Sequence, residues 1–345
     1  MLQRPIRVVQ LGLGAIGLDI ARLIAQQPGL ELVGGIEQDP AKIGADLGEM
    51  IGLPGSLGIA VRGDVEVVLR HARPDVVVIT TTPLLREVVP LLRACFDAKA
   101  HVVSTCEELV YPFADHPVAS ANIDEEARAA GVSTLGVGVN PGFAMDFLPI
   151  FLTGPSSDVR RVSVHRAVDA STRRWTHQQR LGVGLDRAAF RDWARQRGTP
   201  HIGLRQSLQM IASALGWRLD DIAEGIEPVI AEQWVETPHV CAAPGQVAGI
   251  HQWAHGLAGH HIVLDLEWRS AVGLAETYDR VRIEGVPPLD VVIHGGIHGD
   301  LATATLVTRA IPAVVAARPG LRTVLDLPVA HYQALPRMQP EAMAA

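Results

Sequence analysis

Along the first 145 residues, short apolar runs alternate with amphipathic stretches. The runs are Ile6–Leu11, Glu31–Ile36, Val76–Thr80, Val102–Ser104 and Val132–Val139. Between them, apolar residues recur at helical spacing in Leu18–Gln26, Val65–His71, Leu84–Phe96 and Ala119–Ala130. Near-continuous apolar strands are buried on both faces, and intervening helices supply the cover, so the pattern predicts a parallel sheet between two helical layers. The alternation stops near Pro141. Beyond it, strands are predicted at Val159–Val168, Val229–Glu236, Ile262–Trp268, Tyr278–Ile283 and Val291–Ile293, with helices at Ala188–Arg197 and Leu204–Leu215. That order predicts an α+β domain on a mostly antiparallel sheet. A last helical pattern, Leu301–Ala317, contains Pro312, which predicts a kink or a break. The expected division is residues 1–145, residues 146–300, and a C-terminal helix at 301–332 that returns to the first domain. The tail after Tyr332 is expected to fray.

Composition narrows the class. The chain has 345 residues, 48% of them hydrophobic and 19% charged, which is enough apolar material for two packed cores. A net charge of −7 without a block of basic residues argues against a nucleic-acid partner. The N-terminus runs straight into a strand pattern, and no apolar run approaches 18 residues, so a soluble cytoplasmic protein without a membrane anchor is expected. Cys95, Cys106 and Cys241 are scattered and form no CxxC pair, which speaks against a disulfide framework or a thiolate zinc site.

The first chemical signal is Gly12-Leu13-Gly14-Ala15-Ile16-Gly17, set between a predicted strand and a predicted helix. In that context the first glycine allows a tight turn, the second lets the backbone approach a pyrophosphate, and the third lets the helix pack close. A Rossmann domain is therefore expected, with the pyrophosphate at the helix start. Glu37 follows 20 residues after Gly17, where an acid can hold the adenosine ribose hydroxyls and repel a 2′-phosphate. NAD is the preferred cofactor, while Gln38 and Lys42 leave NADP open. Ligands in such sheets gather at the carboxyl ends of the strands. Three segments end there: Thr80-Thr81-Thr82-Pro83, Ser104-Thr105-Cys106-Glu107-Glu108, and Gly138-Val139-Asn140-Pro141-Gly142. The first is expected along the cofactor. Ser104, Thr105, Cys106 and Asn140 are expected around the nicotinamide ring.

Thr105-Cys106-Glu107-Glu108-Leu109 and Gly138-Val139-Asn140-Pro141-Gly142-Phe143 resemble segments of the 2,4-diaminopentanoate dehydrogenases and the related native amine dehydrogenases. Their N-terminal domain is of the dihydrodipicolinate-reductase type. The likeness continues through Val168-Asp169-Ala170-Ser171, Gln246-Val247-Ala248-Gly249 and Gly299-Asp300-Leu301-Ala302-Thr303-Ala304. The resemblance implies reversible reductive amination of a small ketone, aldehyde or keto acid with ammonia, and a catalytic carboxylate in the Glu-Glu pair. Glu108 is preferred for that role, with Glu107 the alternative. A buried carboxylate suits the chemistry: it can take a proton from ammonium, relay it to the leaving hydroxyl and stabilise a cationic iminium. Two adjacent acids in a dry pocket are expected to raise one pKa.

The resemblance also implies that the second domain supplies the substrate pocket. Arg166, Arg173 and His201 are candidates for a substrate carboxylate, and Asn140, Phe143, Met145 and Leu181 for the lining. His251 and His255 are spaced i, i+4, but Gln252 stands where a zincin needs Glu, so no metal is expected. Three other readings stay open: 2,4-diaminopentanoate dehydrogenase proper, a silent dinucleotide-binding protein, and an enzyme with Cys106 as nucleophile. A cyclic-imine reductase would call for a lysine near Val164-His165-Arg166, where none stands. A homodimer is expected, because an open sheet in the second domain leaves one face for a partner.

Overall fold

A computed structural model describes residues 4–197 and 201–332. The tail after Tyr332, expected to fray, lies outside the described residues.

The first half holds β1 (Ile6–Leu11), α1 (Ala15–Gln26), β2 (Leu30–Ile36), α2 (Leu47–Met50), α3 (Val65–Ala72), β3 (Val76–Ile79), α4 (Leu85–Asp97), β4 (His101–Ser104), α5 (Glu107–Val110), α6 (Pro117–Ala130) and β5 (Ser133–Gly136). Then come α7 (Phe147–Leu152), β6 (Asp158–Asp169), α8 (Trp175–Gln178), α9 (Arg187–Arg197), α10 (Leu204–Ala214), β7 (Asp221–Ile230), the short β8 (Val235–Glu236) and β9 (Cys241–Ala242), β10 (Val247–Ala258), β11 (His261–Ala271), β12 (Tyr278–Val286), β13 (Leu289–His294), α11 (Gly299–Ala316) and β14 (Gly320–Arg322).

Six strands form a parallel sheet in the order β14-β5-β4-β3-β1-β2. The chain leaves β1 to one side for β2 and returns on the other side at β3. The carboxyl ends of β1 and β3 therefore flank the switch point where such sheets bind ligands. One face packs with α3, α4 and α6 through residues such as Val68, Leu92 and Ile123. The other packs with α1 and α11 through Ile20, Ile24, Val307, Ile311 and Val314. The helix α11 is long and apolar enough to cross a membrane by length and composition, but these contacts make it a cover for the sheet. It runs unbroken through Pro312, so the expected break does not occur.

The second sheet has the order β13-β12-β6-β11-β10-β7, antiparallel except for the β6/β11 pair. Its inner face carries Val162, Val164, Ile250, Ala254, Leu264, Leu266 and Val281, packed on Leu204, Leu208 and Ile211 of α10. Its outer face carries ion pairs, Arg161–Asp265 at 3.0 Å, His251–Glu267 at 3.1 Å, His255–Asp265 at 3.3 Å and Arg280–Asp290 at 2.5 Å, together with Trp253, whose ring stacks on His255.

Several boundaries differ from the sequence expectation. The helix α1 begins at Ala15 and not at Leu18, because the glycine loop feeds it directly. The run Val132–Val139 is a strand only over Ser133–Gly136; beyond it the chain turns into the ligand-facing loop. The strand expected at Val229–Glu236 is the end of β7 followed by the separate β8. The strand β10, which lies between β7 and β11, had no counterpart in the pattern.

Candidate active site

The loop after β1 shows why its glycines are needed. Gly12 has φ +91°, and a Cβ there would lie 2.8 Å from the Thr80 carbonyl oxygen. A Cβ on Gly17 would lie 2.0 Å from the Gly12 carbonyl oxygen, so only glycine lets α1 start this close to the loop. Underneath, Gln10 Nε2 donates to the Gly12 carbonyl at 3.1 Å and to Thr80 Oγ1 at 2.9 Å. Gly14 caps α1 without a side-chain hydrogen bond, and the space where its Cβ would be is open. Free N–H groups, a positive helix end and open space above them fit a dinucleotide pyrophosphate.

Glu37 sits at the end of β2. Its Oε2 accepts from the Leu13 N–H at 2.9 Å, its Oε1 accepts from the Gln38 N–H at 2.7 Å, and Lys42 Nζ approaches to 3.6 Å. Burial pushes this carboxyl up, but the backbone donors and Lys42 outweigh it and hold the pKa below the ordinary value.

A cleft of about 320 Å³ opens above the loop and is walled by both domains. The first domain supplies Gly14, Ala15, Ile16, Gly17, Thr80, Thr81, Thr82, Thr105, Glu107 and Asn140. The second supplies Arg166, Arg173, His177, Arg180, Leu181, His201 and Trp268, and α11 adds Asp300 and Thr303.

The two glutamates diverge. Both begin the one-turn helix α5, whose rotation sends them different ways. Glu107 faces the cleft: its Oε2 lies 3.3 Å from His201 Nδ1 and accepts from the Ile202 N–H at 3.1 Å. Glu108, the preferred candidate from sequence, does not line the cleft. Its Oε2 accepts from the Leu85 N–H at 2.6 Å, at the open N-terminus of α4, and lies 3.6 Å from His116 Nε2. A carboxylate at a helix start meets unpaired N–H groups and a favourable dipole, which explains its orientation.

The expected rise in carboxyl pKa is also corrected. Burial pushes Glu107 up, but the His201 imidazole, the Ile202 N–H and the Arg180 guanidinium outweigh it, and the pKa lies below the ordinary carboxylate value. His201 is itself held on three sides. Asn140 Nδ2 lies 2.8 Å from its Nε2, Glu107 is at its Nδ1, and the Trp268 ring lies 4.9 Å away, centroid to centroid.

The arginines expected to meet a substrate carboxylate already have partners. Arg166 is buried and paired with Asp279 at 2.5 Å, and it also donates to the Ile297 carbonyl. Arg173 is buried and paired with Asp300 at 2.9 Å, with Arg174 at 3.5 Å from the same carboxylate. Arg180 was not singled out from sequence, yet among the described residues it lines the cleft without an ion-pair partner. His177, at 3.1 Å from Ser270 Oγ, is pushed down to about 3 by burial and by the neighbouring Arg173 and Arg174. It is a neutral wall of the cleft at ordinary pH.

Other expected residues fall elsewhere. Met145 is fully buried in the second core, and Phe143 packs beside it rather than on the cleft. Ser104 is buried and donates to the Ile79 carbonyl at 3.2 Å. Cys106 is 1% exposed, its Sγ donates to the Pro83 carbonyl at 3.2 Å, and burial pushes its thiol up to about 12. His251 and His255 lie on β10, not on a helix, and face the outer side of the sheet. There His165, Asp265 and Glu267 bring ligand atoms within 4.8 Å of one another, but the Arg161 guanidinium already supplies the cation on Asp265. Asp300, Thr303 and Trp268 were missed as cleft residues. The resemblance through Gly299-Asp300-Leu301-Ala302-Thr303-Ala304 was the one available signal for the first two.

Residues 6–106 match the family model for the dihydrodipicolinate reductase N-terminus, and residues 143–339 match that for the 2,4-diaminopentanoate dehydrogenase C-terminal domain. The chain is 31% identical over 333 residues to a 2,4-diaminopentanoate dehydrogenase of Acetoanaerobium sticklandii, covering 94% of each. It is 28% identical over 351 residues to an amine dehydrogenase of Streptomyces virginiae, covering 94% of this chain and 96% of that one. The solved amine dehydrogenase from Mycobacterium smegmatis superposes with a TM-score of 0.85 at 28% identity, over 96% of this chain and 98% of that one.

Proposed function

The chain belongs to the 2,4-diaminopentanoate dehydrogenase family of oxidoreductases acting on CH–NH2 groups, and from that premise we propose that it catalyses the reversible reductive amination of a small aliphatic ketone, aldehyde or keto acid with ammonia. The observation that carries this is the Glu107 carboxylate, held by His201 at 3.3 Å in a small cleft next to an open dinucleotide loop.

Glu107 is ionised at neutral pH, so it takes a proton from ammonium and frees ammonia to attack the carbonyl carbon. The Glu107–His201 pair holds that proton and returns it to the hydroxyl of the carbinolamine, which leaves as water. The iminium cation that results lies against a fixed carboxylate in a partly dry cleft, where its charge is stabilised. A reduced nicotinamide, when bound there, would supply the hydride that the iminium carbon accepts. Gly12, Gly14, Gly17 and the first N–H groups of α1 would hold its pyrophosphate, and Thr80, Thr81, Thr82, Thr105 and Asn140 its nicotinamide half. Glu37 at the ribose position supports NAD over NADP, with Lys42 softening the discrimination. The reading further places the enzyme in the cytoplasm as a homodimer, paired through the outer face of the second sheet; sedimentation checks the pairing.

A second reading is favoured by Arg180. A substrate bearing a carboxylate, a keto acid or a diamino acid such as 2,4-diaminopentanoate, would pair with this free guanidinium rather than with Arg166 or Arg173.

NADH oxidation with 4-oxopentanoate and a panel of small ketones and aldehydes, with and without ammonium, tests both readings. Ammonium-dependent oxidation is expected. Oxidation without ammonium would replace the proposal with carbonyl reduction, and NADH binding without any turnover would make the chain a silent dinucleotide-binding protein. A preference for 4-oxopentanoate that disappears in Arg180→Met supports the carboxylate reading.

A further inference from the structure

His201 carries half of the proposed acid–base pair, yet it stands on irregular backbone three residues before α10. Something outside that segment must fix it. The Gln252 side chain on β10 does so with both ends of its carboxamide. Gln252 Oε1 accepts from the His201 N–H at 3.2 Å, and Gln252 Nε2 donates to the His201 carbonyl at 2.6 Å.

This glutamine is out of place by any packing argument. It is 1% exposed, on the core face of β10, between the fully buried Ile250 and Ala254. A primary amide buried there is costly unless both of its polar atoms are paired. A methionine would fill the same volume without that demand. Gln252 does not line the cleft. Among the described residues, its side chain hydrogen-bonds to the backbone of His201 at both ends. Its cross-strand partner on β11 is Trp268, the residue whose ring lies against the His201 imidazole. One cross-strand pair thus holds the backbone and the ring of the same histidine. The next residues complete the clamp. The Ile202 N–H is bound by Glu107, and Gly203 rests on Pro141, where an added Cβ would lie 2.1 Å from the proline ring. Asn140 Nδ2 lies 2.8 Å from His201 Nε2, and the other ring nitrogen, Nδ1, faces Glu107 at 3.3 Å.

We propose that Gln252 is a positioning residue: its carboxamide locks the His201 backbone so that the imidazole is held at Glu107 across the domain boundary. The inference rests on the amine dehydrogenase reading for its kinetic consequence, but not for its geometry.

The test compares Gln252→Met, which keeps the volume and removes both hydrogen bonds, in the wild-type and His201→Asn backgrounds. Freed by an ångström, a group at the chemistry costs up to about 100-fold. Gln252→Met is therefore expected to lower kcat roughly 10- to 100-fold, to move the acid limb of the kcat pH profile, and to leave the Kd for NADH within about twofold. In the His201→Asn background the same substitution is expected to cost less than about twofold more, because a residue acting only through His201 has nothing left to position. An equal loss in both backgrounds overturns the proposal, as does a kcat and pH profile unchanged by Gln252→Met. If the wild-type chain shows no ammonium-dependent turnover, the functional reading fails, and the clamp is judged on the NMR titration of the His201 imidazole. An altered pKa in Gln252→Met supports the clamp, and an identical titration overturns it.

Discussion

The two walls of the cleft solve recognition with different materials. The first-domain wall is mostly backbone: glycines that permit close approach, the bare N–H groups of α1, and a threonine carbonyl packed against Gly12. The second-domain wall is side chains, most of them charged or polar, and most already matched. Arg166 has Asp279, Arg173 has Asp300, His201 has Glu107, and His177 is kept neutral. A backbone wall binds what all dinucleotides share. A wall of matched side chains presents little net charge to a substrate and leaves Arg180 as its free cation among the described residues. Generic binding and particular selection are thus divided between the domains.

The sharpest way to break the comparison is at Glu107, the first-domain carboxylate that reaches across the cleft to His201. Glu107→Gln is expected to lower kcat by about 10²- to 10⁴-fold, the usual cost of removing a general acid–base group, with NADH affinity retained. Glu108→Gln is the control. It weakens the start of α4 by about 1 kcal/mol, seen as a lower urea midpoint, and leaves kcat nearly unchanged. The reverse pattern in stopped-flow and steady-state rates would return the role to Glu108.

The next effect tests whether the second wall's arginines are structural. Arg166→Met strands the buried Asp279 carboxylate, and losing one partner of a buried pair costs roughly 3–5 kcal/mol. A large drop in thermal midpoint is expected, with recovery when Asp279 is also made apolar. A stable Arg166→Met protein whose KM for 4-oxopentanoate rises steeply would instead make Arg166 a substrate ligand.

The same contrast decides what could be seen before folding. The glycine loop is a local device. Gly12, Gly14 and Gly17 act on one another within six positions, so spacing in a strand–helix context exposes it. The pair Glu107 and Glu108 carries no such mark, since both sit in one turn and only the position of α4 tells which is turned away. Phe143 and Met145 are lining candidates by sequence, but the chain turns them into the second core. The strand β10 was missed for a related reason. Its core face reads Ile250, Gln252, Ala254, Gly256, and a polar residue followed by small ones hides the alternation that betrays a strand. The residue that spoils the pattern is the one that holds His201. Local rules fail where a side chain is retained for a contact made across the fold.

A smaller effect separates matched from unmatched groups by pH. His177 titrates near 6.5 when unfolded, but burial first, and Arg173 and Arg174 next, push it down to about 3 in the folded chain. Between these values the unfolded state binds the proton and the folded state does not, so stability falls as the pH drops through that window. From pH 7 to pH 4.5 the loss from this group is about 2–3 kcal/mol. Urea unfolding at a series of pH values should show that loss in the wild type and its absence in His177→Asn. Parallel curves for the two proteins would mean that His177 is solvated and free to protonate in the cleft.

The smallest effect belongs to Cys106, and its smallness is informative. A cysteine at the carboxyl end of β4, beside the proposed nicotinamide position, invites a thioester mechanism. The reactive species would be the thiolate. Here the sulfur is sealed from solvent, donates to the Pro83 carbonyl, and is pushed up to about 12, first by burial and then by the negative charge of Glu108 and Glu107. At neutral pH almost none of it is ionised. Cys106→Ala should therefore cost about 1 kcal/mol of stability for the small void, and kcat should stay within about twofold. Iodoacetamide should leave the folded wild type active for the same reason. Inactivation by iodoacetamide that Cys106→Ala prevents would show the thiol exposed, place a nucleophile on the cofactor wall, and undo the division between a backbone wall and a chemical one.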